Sequence, residues 1–398
     1  MTKLFDITGK TISGEWGSND DDKTGIPVIR TTNFTNEGNI DYSNVVTRKI
    51  KKNNIEKKFL KYGDIIIEKS GGSDNQPVGR VVYFDNKDGK YLFNNFTGLL
   101  RVKDTSKWNS RYVFWSLFAS YKQGKTKMYQ NKTTGLHNLR TDAYVKDLNI
   151  KDLSFKSQVN ISNILDKARK EIELRKEELA KLDTLIKARF VEMFGDPVKN
   201  EKKFLTKQLS QIGKCKNGIN FHKSEIGNTV NCLTVKDFEN NQVINDTTKL
   251  AKIKLSNLPS NDYFLNNGDI VFVRSNGNKS LVGRSVLIFP NNNPTLFSGF
   301  CIRFRKDSKR LESVYLLWLL KNESIRMKMR GRGVNIQNLN QQIINNLSIP
   351  VPPIELQKEF ASFVQQVDKS KVVNASIMKY IISIRFYLYF KENKEGAR

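Results

Sequence analysis

The strongest constraint on this chain is a long internal repeat. Tyr62-Gly63-Asp64-Ile65-Ile66 returns as Asn267-Gly268-Asp269-Ile270-Val271, an offset of 205 (268 − 63), and Val78-Gly79-Arg80 returns as Val282-Gly283-Arg284, an offset of 204 (283 − 79). Phe34 matches Phe238, Phe96-Thr97-Gly98 matches Phe297-Ser298-Gly299, Tyr112 to Trp115 matches Tyr315 to Trp318, and Asn138-Leu139 matches Asn338-Leu339, all in the same order. Ordered matches at a nearly constant spacing define two copies of one domain, with small loop deletions accounting for the drift.

In each copy Gly-Asp precedes an apolar run (Ile65 to Ile67, Ile270 to Val273), a loop rich in Gly, Ser and Asn, and a second apolar run (Val81 to Phe84, Val286 to Phe289). That is the pattern of a turn feeding a β-hairpin. The continuous apolar segments around Trp115 and Trp318 read as short buried helices, so each half is expected to be α+β.

Between and after the copies the period changes. Leu165, Ala168, Ile172, Leu179, Leu182, Ile186 and Met193 form a heptad seam interrupted by Arg175 and Arg189, and Gly195-Asp196-Pro197 supplies a glycine cap and a proline stop. The seam recurs at Phe360, Phe363, Val367, Ile377, Ile381, Ile384 and Leu388, interrupted by Ser370 and Asn374, and Leu165 to Ile186 maps onto Val367 to Leu388 at an offset of 202 (367 − 165). Each stripe can pack on its own domain, but the length and matching heptads favour mutual packing. Copies related by a pseudo-twofold would make that coiled coil antiparallel.

The 398 residues, 38% hydrophobic and 10% aromatic, suffice for several cores. Lysine plus arginine number 67 against 40 acidic residues, a formal charge of +27. A bias toward lysine and asparagine contributes to such a balance, but an excess of this size needs a polyanion, with nucleic acid first among candidates. Cys215, Cys232 and Cys301 have no C-x-x-C spacing, which supports neither a disulfide framework nor a zinc ribbon and fits a reducing cytoplasm. Met1 to Lys10 lacks an apolar signal core, and the longest apolar stretch, Val314 to Leu320, is far too short to span a bilayer.

The segment from Lys181 to Pro197, which ends in Arg189-Phe190-Val191-Glu192-Met193-Phe194-Gly195-Asp196-Pro197, closely resembles the conserved helix end of the specificity (S) subunits of Type I restriction-modification systems. Ile349-Pro350-Val351-Pro352-Pro353-Ile354, followed by Gln357, resembles the same family's approach to its second helix; Ile150-Lys151-Asp152-Leu153 in the first copy lacks the prolines. The resemblance implies target-recognition domains at 1–156 and 197–355, a central helix at 157–196 and a C-terminal helix at 356–392. It further implies a non-catalytic subunit that binds double-stranded DNA and assembles with two modification (methyltransferase) subunits and with restriction (translocase/nuclease) subunits. S-adenosylmethionine, ATP and Mg are then expected on those partners and no cofactor on this chain. A solitary specificity-like subunit of another phage-defence or methylation system is the alternative, which neighbouring genes would decide.

The catalytic inventory agrees with a recognition role. His137 and His222 are the only histidines, too few for a histidine-rich metal site. Asp64 and Glu68 beside Lys69 resemble a nuclease carboxylate set, but Val273 replaces Glu68 in the second copy, and the aspartate reads as a turn residue. Gly277-Asn278-Lys279-Ser280 lacks P-loop spacing, and Pro352-Pro353 lacks both flanks of the Asn-Pro-Pro-aromatic signature of amino-methyltransferases.

The candidates for DNA contact come in equivalent pairs. Lys69, Ser70, Gly72 and Ser73 correspond to Arg274, Ser275, Asn276 and Lys279, where glycine allows close backbone approach and the polar side chains suit base edges or phosphates. Lys125, Lys127 and Lys132 correspond to Arg326, Lys328, Arg330 and Arg332 as phosphate contacts. Arg30 and Lys236 form a third pair. A coiled-coil scaffold for acidic proteins would explain the charge and the helices but not two α+β copies with recurring basic loops.

Overall fold

The computed structural model describes residues 1–51, 55–73, 75–133, 136–221, 226–239, 241–330 and 338–394. The chain divides into two compact units, one of residues 1–176 with 375–398, the other of residues 177–374.

The first unit is built on an antiparallel sheet in the order Ile12–Ser13, Thr97–Leu100, Ile65–Glu68, Val81–Tyr83. A second sheet places Ile26–Ile29 between Val46–Arg48, antiparallel, and Leu92–Phe93, parallel. The strand after Gly63-Asp64 is buried on both faces, which is why it reads as an unbroken isoleucine run. Ile65 and Ile67 join Trp115 and Phe114 of helix Ser110–Lys122 in one core, while Ile66 joins Ile29, Phe34 and Phe93 in another.

The second unit repeats this plan. Gly213–Asn217, Cys301–Lys306, Asp269–Val273 and Ser285–Ile288 follow in the equivalent order, with Val243–Ile244 added in parallel at the edge, and Asn228–Leu233 lies between Ala251–Leu255 and Thr295–Phe297. Ile270 and Phe272 face the core that holds helix Ser313–Lys321, and Val271 and Val273 face the opposite one. The buried helices expected around Trp115 and Trp318 are both present.

The repeated aspartate is a structural hub in both units. Asp64 is buried, accepts the Lys61 backbone N–H at 2.7 Å and is gripped by Arg101 through Nε at 2.7 Å and Nη2 at 2.6 Å. Asp269 accepts from the Asn266 N–H at 2.7 Å and is held by Arg305 through Nε at 2.9 Å and Nη2 at 2.8 Å. Each arginine also donates to a backbone carbonyl of the preceding turn, Phe59 or Phe264, at 2.8 Å. The bidentate pair and the turn cap satisfy the carboxylate, as its burial requires.

The long helices run Phe155–Phe194 and Ile354–Lys394. Near its start each carries a glutamine that clamps the loop before the recognition-domain helix. Gln158 accepts from the Asn109 N–H at 2.8 Å and donates to the carbonyls of Lys107 and Leu153; Gln357 accepts from the Glu312 N–H at 2.8 Å and donates to those of Arg310 and Pro352. This pairing puts the two helices in register at an offset of 199 (357 − 158), so the offset of 202 read from the seam is a three-residue slip.

In the corrected register the second seam is Phe360, Val364, Val367, Lys371 and Asn374, then Met378 and Ile381, equivalent to Ile161, Leu165, Ala168, Ile172, Arg175, Leu179 and Leu182. Val364 is buried deeply; Phe363 and Ile377 are only partly buried, Phe363 lying along the edge of the core, and Ser370 is exposed. The side chains of Ile384 and Leu388 lie outside the described residues.

Within the second unit the two helices pack against each other. Asp183 meets Lys371 at 2.7 Å, Arg189 meets Glu359 at 2.9 Å, and the rings of Phe190 and Phe360 lie 5.4 Å apart. One number rises as the other falls, so the pair is antiparallel, with Leu182, Ile186, Phe190, Met193, Phe360, Val364 and Val367 sharing the core. In the first unit Leu165, at the start of the stripe, joins the domain core.

Lys321, at the end of helix Ser313–Lys321, is partly buried at the edge of the second unit's core. It lines a cleft of about 400 Å³ with Asp183, Lys187, Arg284, Trp318 and Arg326, and burial pulls its ammonium pKa down to about 7. The unfolded side chain keeps its proton up to about pH 10.4, so stability rises with pH between about 7 and that value, and the penalty is full below the window. Lys321→Met is expected to raise the melting temperature at neutral pH by a few degrees and flatten this rise. Melting curves between pH 6.5 and 9.5 check it, and an unchanged slope would place the proton elsewhere.

Candidate nucleic-acid interface

The first candidate loop begins where the strand after each Gly-Asp ends. In the first unit the N–H groups of Lys69 and Ser70 both donate to the Phe96 carbonyl, at 2.8 and 3.2 Å, and the Lys69 carbonyl accepts from the Leu139 N–H at 2.8 Å. In the second unit Arg274 and Ser275 donate to the Phe300 carbonyl at 2.8 and 3.4 Å, and Leu339 donates to the Arg274 carbonyl at 2.8 Å. Ser70 pairs with Asn138 and Ser275 with Asn338. One backbone arrangement, made twice, fixes each loop between two distant segments of its own unit.

These contacts correct two of the sequence matches. Phe93 and Phe297 hold the same place beside the middle strand of the second sheet, pairing in register with Ile29 and Leu233. Phe96 is therefore equivalent to Phe300, an offset of 204 (300 − 96), and not to Phe297. Likewise Arg30 precedes a short 3-10 turn at the position of Thr234, with Arg30 N–H donating to Asn33 and Thr234 N–H to Asp237. Arg30 and Lys236 are thus two positions out of register; Lys236 is exposed, whereas Arg30 is half-buried and donates to the Asn44 carbonyl at 3.1 Å.

The loop residues differ in what they offer. Lys69 is half-buried, burial lowers its pKa, and its ammonium donates to Ser13 at 3.3 Å. Ser70 donates to the Asn138 side chain, and Ser73 closes an exposed turn with Gln76. Gly72 is not the open glycine expected from the sequence: it is buried, and a Cβ there would come within 2.5 Å of the Val78 backbone nitrogen. Internal packing requires it. Gly71, exposed at φ +121°, is the residue whose backbone faces outward.

Arg274 reaches back to the Gly299 carbonyl at 3.4 Å, Asn276 caps the Asn278 N–H at 2.7 Å, and a Cβ on Gly277 would meet nothing within 4 Å. Lys125 and Lys127 are exposed on a 3-10 helix, Lys125–Tyr129, that leads into the hairpin of Gln130–Thr133 and Leu136–Leu139; the second strand pairs with Ser70–Gly72. The second basic segment is thereby brought to the first loop. In the second unit Lys328 is exposed on helix Glu323–Arg330, while Arg326 faces the cleft of Lys321. Arg332 and the side chains of Lys132, Lys279 and Arg330 lie outside the described residues, as does His222.

Glu68 has a structural task. It is 1% exposed and bound bidentately by Arg80, at 3.0 and 2.8 Å, which leaves no carboxylate to pair with Asp64 in nuclease chemistry. Val273 takes its place in the second unit, and Arg284, the counterpart of Arg80, lines the Lys321 cleft instead. Among the described residues no group of three or more His, Cys, Asp and Glu could hold a metal ion, and no helix is long and apolar enough to cross a membrane. Sequence reasoning missed Phe300, Arg101, Arg305 and Gln158; the recurrence of arginine near the end of the Phe96 and Phe300 strands was the available signal for two of them.

A duplicated α+β domain, two long helices and a twice-built polar loop define a two-part recognition protein rather than an enzyme with a central active site. Residues 2–184 and 200–378 match the Type I restriction modification DNA specificity domain, and the chain belongs to that family, as a non-catalytic specificity subunit with target-recognition domains. It is 26% identical over 388 residues to the Type I restriction enzyme StySPI specificity subunit of Salmonella potsdam, covering 91% of this chain and 79% of the relative. Its fold is similar to that of the Type I restriction-modification S subunit from M. genitalium, with a TM-score of 0.57 at 14% identity, covering 98% and 94% of the two chains. A chain from a structure concerned with complex assembly and conformational transition of the type I R-M system gives a TM-score of 0.59 at 14% identity, covering 98% and 96%.

Proposed function

We propose that this specificity subunit reads an asymmetric bipartite DNA target, one half with each unit, and directs adenine methylation and restriction by partner subunits. The observation that carries this reading is the recognition loop built twice on the same backbone contacts, with different side chains: Lys69-Ser70-Gly71 in one unit and Arg274-Ser275-Asn276 in the other. Equal scaffolds hold unequal readers at a fixed place, which suits two different half-sites. Net charge of +27 supplies the sequence-independent attraction to phosphate.

Two modification subunits, one beside each copy, fit this division. Were the two copies related by a pseudo-twofold perpendicular to the duplex, its strands would be exchanged and one adenine on each would be presented. Those subunits would hold S-adenosylmethionine, and the restriction subunits ATP and Mg; this chain supplies the reading.

Mapping methylated adenines across the genome with and without the gene tests the proposal. Its loss is expected to abolish methylation at one bipartite motif, and the purified chain is expected to transfer no methyl group until modification subunits are added. Methyl transfer by the isolated chain, or an unaltered methylation map, would sink the reading.

A further inference from the structure

Phe96 and Phe300 are exposed by 47% and 60%. A single exposed aromatic is unremarkable on a protein surface. Here, however, the same ring stands at the same place in two units whose flanking residues have diverged, Asn95 and Thr97 in one, Gly299 and Cys301 in the other. Folding gives no reason for it: Thr97 and Cys301 point into the protein and are fully buried, and among the described residues neither ring stacks on another ring or on a cation.

The backbone that carries each ring is also held in place. The carbonyl of each phenylalanine accepts two N–H groups from the recognition loop, Lys69 and Ser70 or Arg274 and Ser275. Each ring therefore projects from a fixed backbone position at the base of the loop that carries the polar and cationic candidates.

We propose that Phe96 and Phe300 are apolar base-contacting residues, each pressing its ring against a base in its own half of the target DNA. An aromatic ring next to hydrogen-bonding loop residues adds stacking or wedging contact that phosphate-binding lysines cannot provide. This inference rests on the two-half reading of the chain and adds to it the residues that make apolar contact.

The test uses the full chain assembled with its modification subunits and a duplex carrying the mapped motif. Phe96→Ala and Phe300→Ala are each expected to weaken target binding about 5- to 150-fold, the loss that removing one base–aromatic stack produces. The salt dependence of binding and the affinity for random duplex should not change, because no phosphate contact is removed. Phe300→Lys should weaken target binding too, although it adds a cation.

Target affinity within twofold of the unmodified complex, or tighter binding by Phe300→Lys, would overturn the assignment. So would failure of the alanine variants to assemble with the modification subunits, which would place the rings at a subunit interface. If the unmodified complex itself shows no preference for the motif over random duplex, the two-half reading fails, a result distinguishable from failure of the ring assignment alone.

Discussion

Exchanging residues 1–156 for the equivalent segment of a relative with a different target is expected to change one half of the methylated motif and leave the other half intact. Each unit has its own apolar cores and its own buried Asp–Arg hub, Asp64 with Arg101 and Asp269 with Arg305. The candidate loop in each is fixed by contacts within that unit. Among the described residues, the backbone contacts that fix the second loop involve no residue of the first.

The junction is also suitable. Gln158 lies just beyond it, and its side chain binds backbone groups of Asn109, Lys107 and Leu153, which any donor sequence provides. Side-chain partners are less forgiving. Arg111 of the exchanged segment grips Asp166 of the retained helix at 2.6 and 2.9 Å, and Asn39 accepts from Arg169 and donates to Glu173. A donor domain with arginine at the place of Arg111 should give the more stable chimaera, since without it the partly buried Asp166 loses its close cation and keeps Arg169 at 3.9 Å. Methylome sequencing of a strain carrying the chimaera reads the result. A change in both halves of the motif would show that the two units do not read independently.

The plan of the fold was legible because duplication prints its framework twice. Gly-Asp before an apolar run, the Tyr-to-Trp segments and Phe34 with Phe238 all hold their places. Registers inside periodic or short motifs were not legible. An amphipathic helix shifted by three residues still shows much of the same apolar face, since positions three and four apart share it, so the offset of 202 fitted the seam as well as the true 199 (357 − 158). Only a non-periodic residue breaks that degeneracy, and Gln158 with Gln357 does so through matching hydrogen bonds to the loop before each recognition-domain helix. Phe96-Thr97-Gly98 matched Phe297-Ser298-Gly299 for a similar reason: aromatic, small, glycine is a weak pattern, and strand pairing decides it. The open glycine could not be told from the packed one, because Gly71 and Gly72 are adjacent and differ in backbone angle and in what a Cβ would meet, neither of which the sequence states.

Inserting one heptad into both long helices is expected to lengthen the preferred spacer between the half-sites. In the corrected register the matched sites are after Lys176 in the central helix and after Ala375 in the C-terminal helix, an offset of 199 (375 − 176), both at the boundary of the compact units. Seven residues preserve the face of each seam, because the apolar positions repeat every seven. At about 1.5 Å per residue they add about 10 Å of helix, close to three base pairs of B-DNA at about 3.4 Å each. Three base pairs also turn the duplex by about 100°, so affinity should fall even as the preferred spacer grows. The antiparallel pairing of Asp183 with Lys371 and of Arg189 with Glu359 lies wholly on one side of the insertions and is retained. Methylation of a library of targets with graded spacers measures the outcome. A preferred spacer that does not move would show that something other than these helices sets the distance between the two readers.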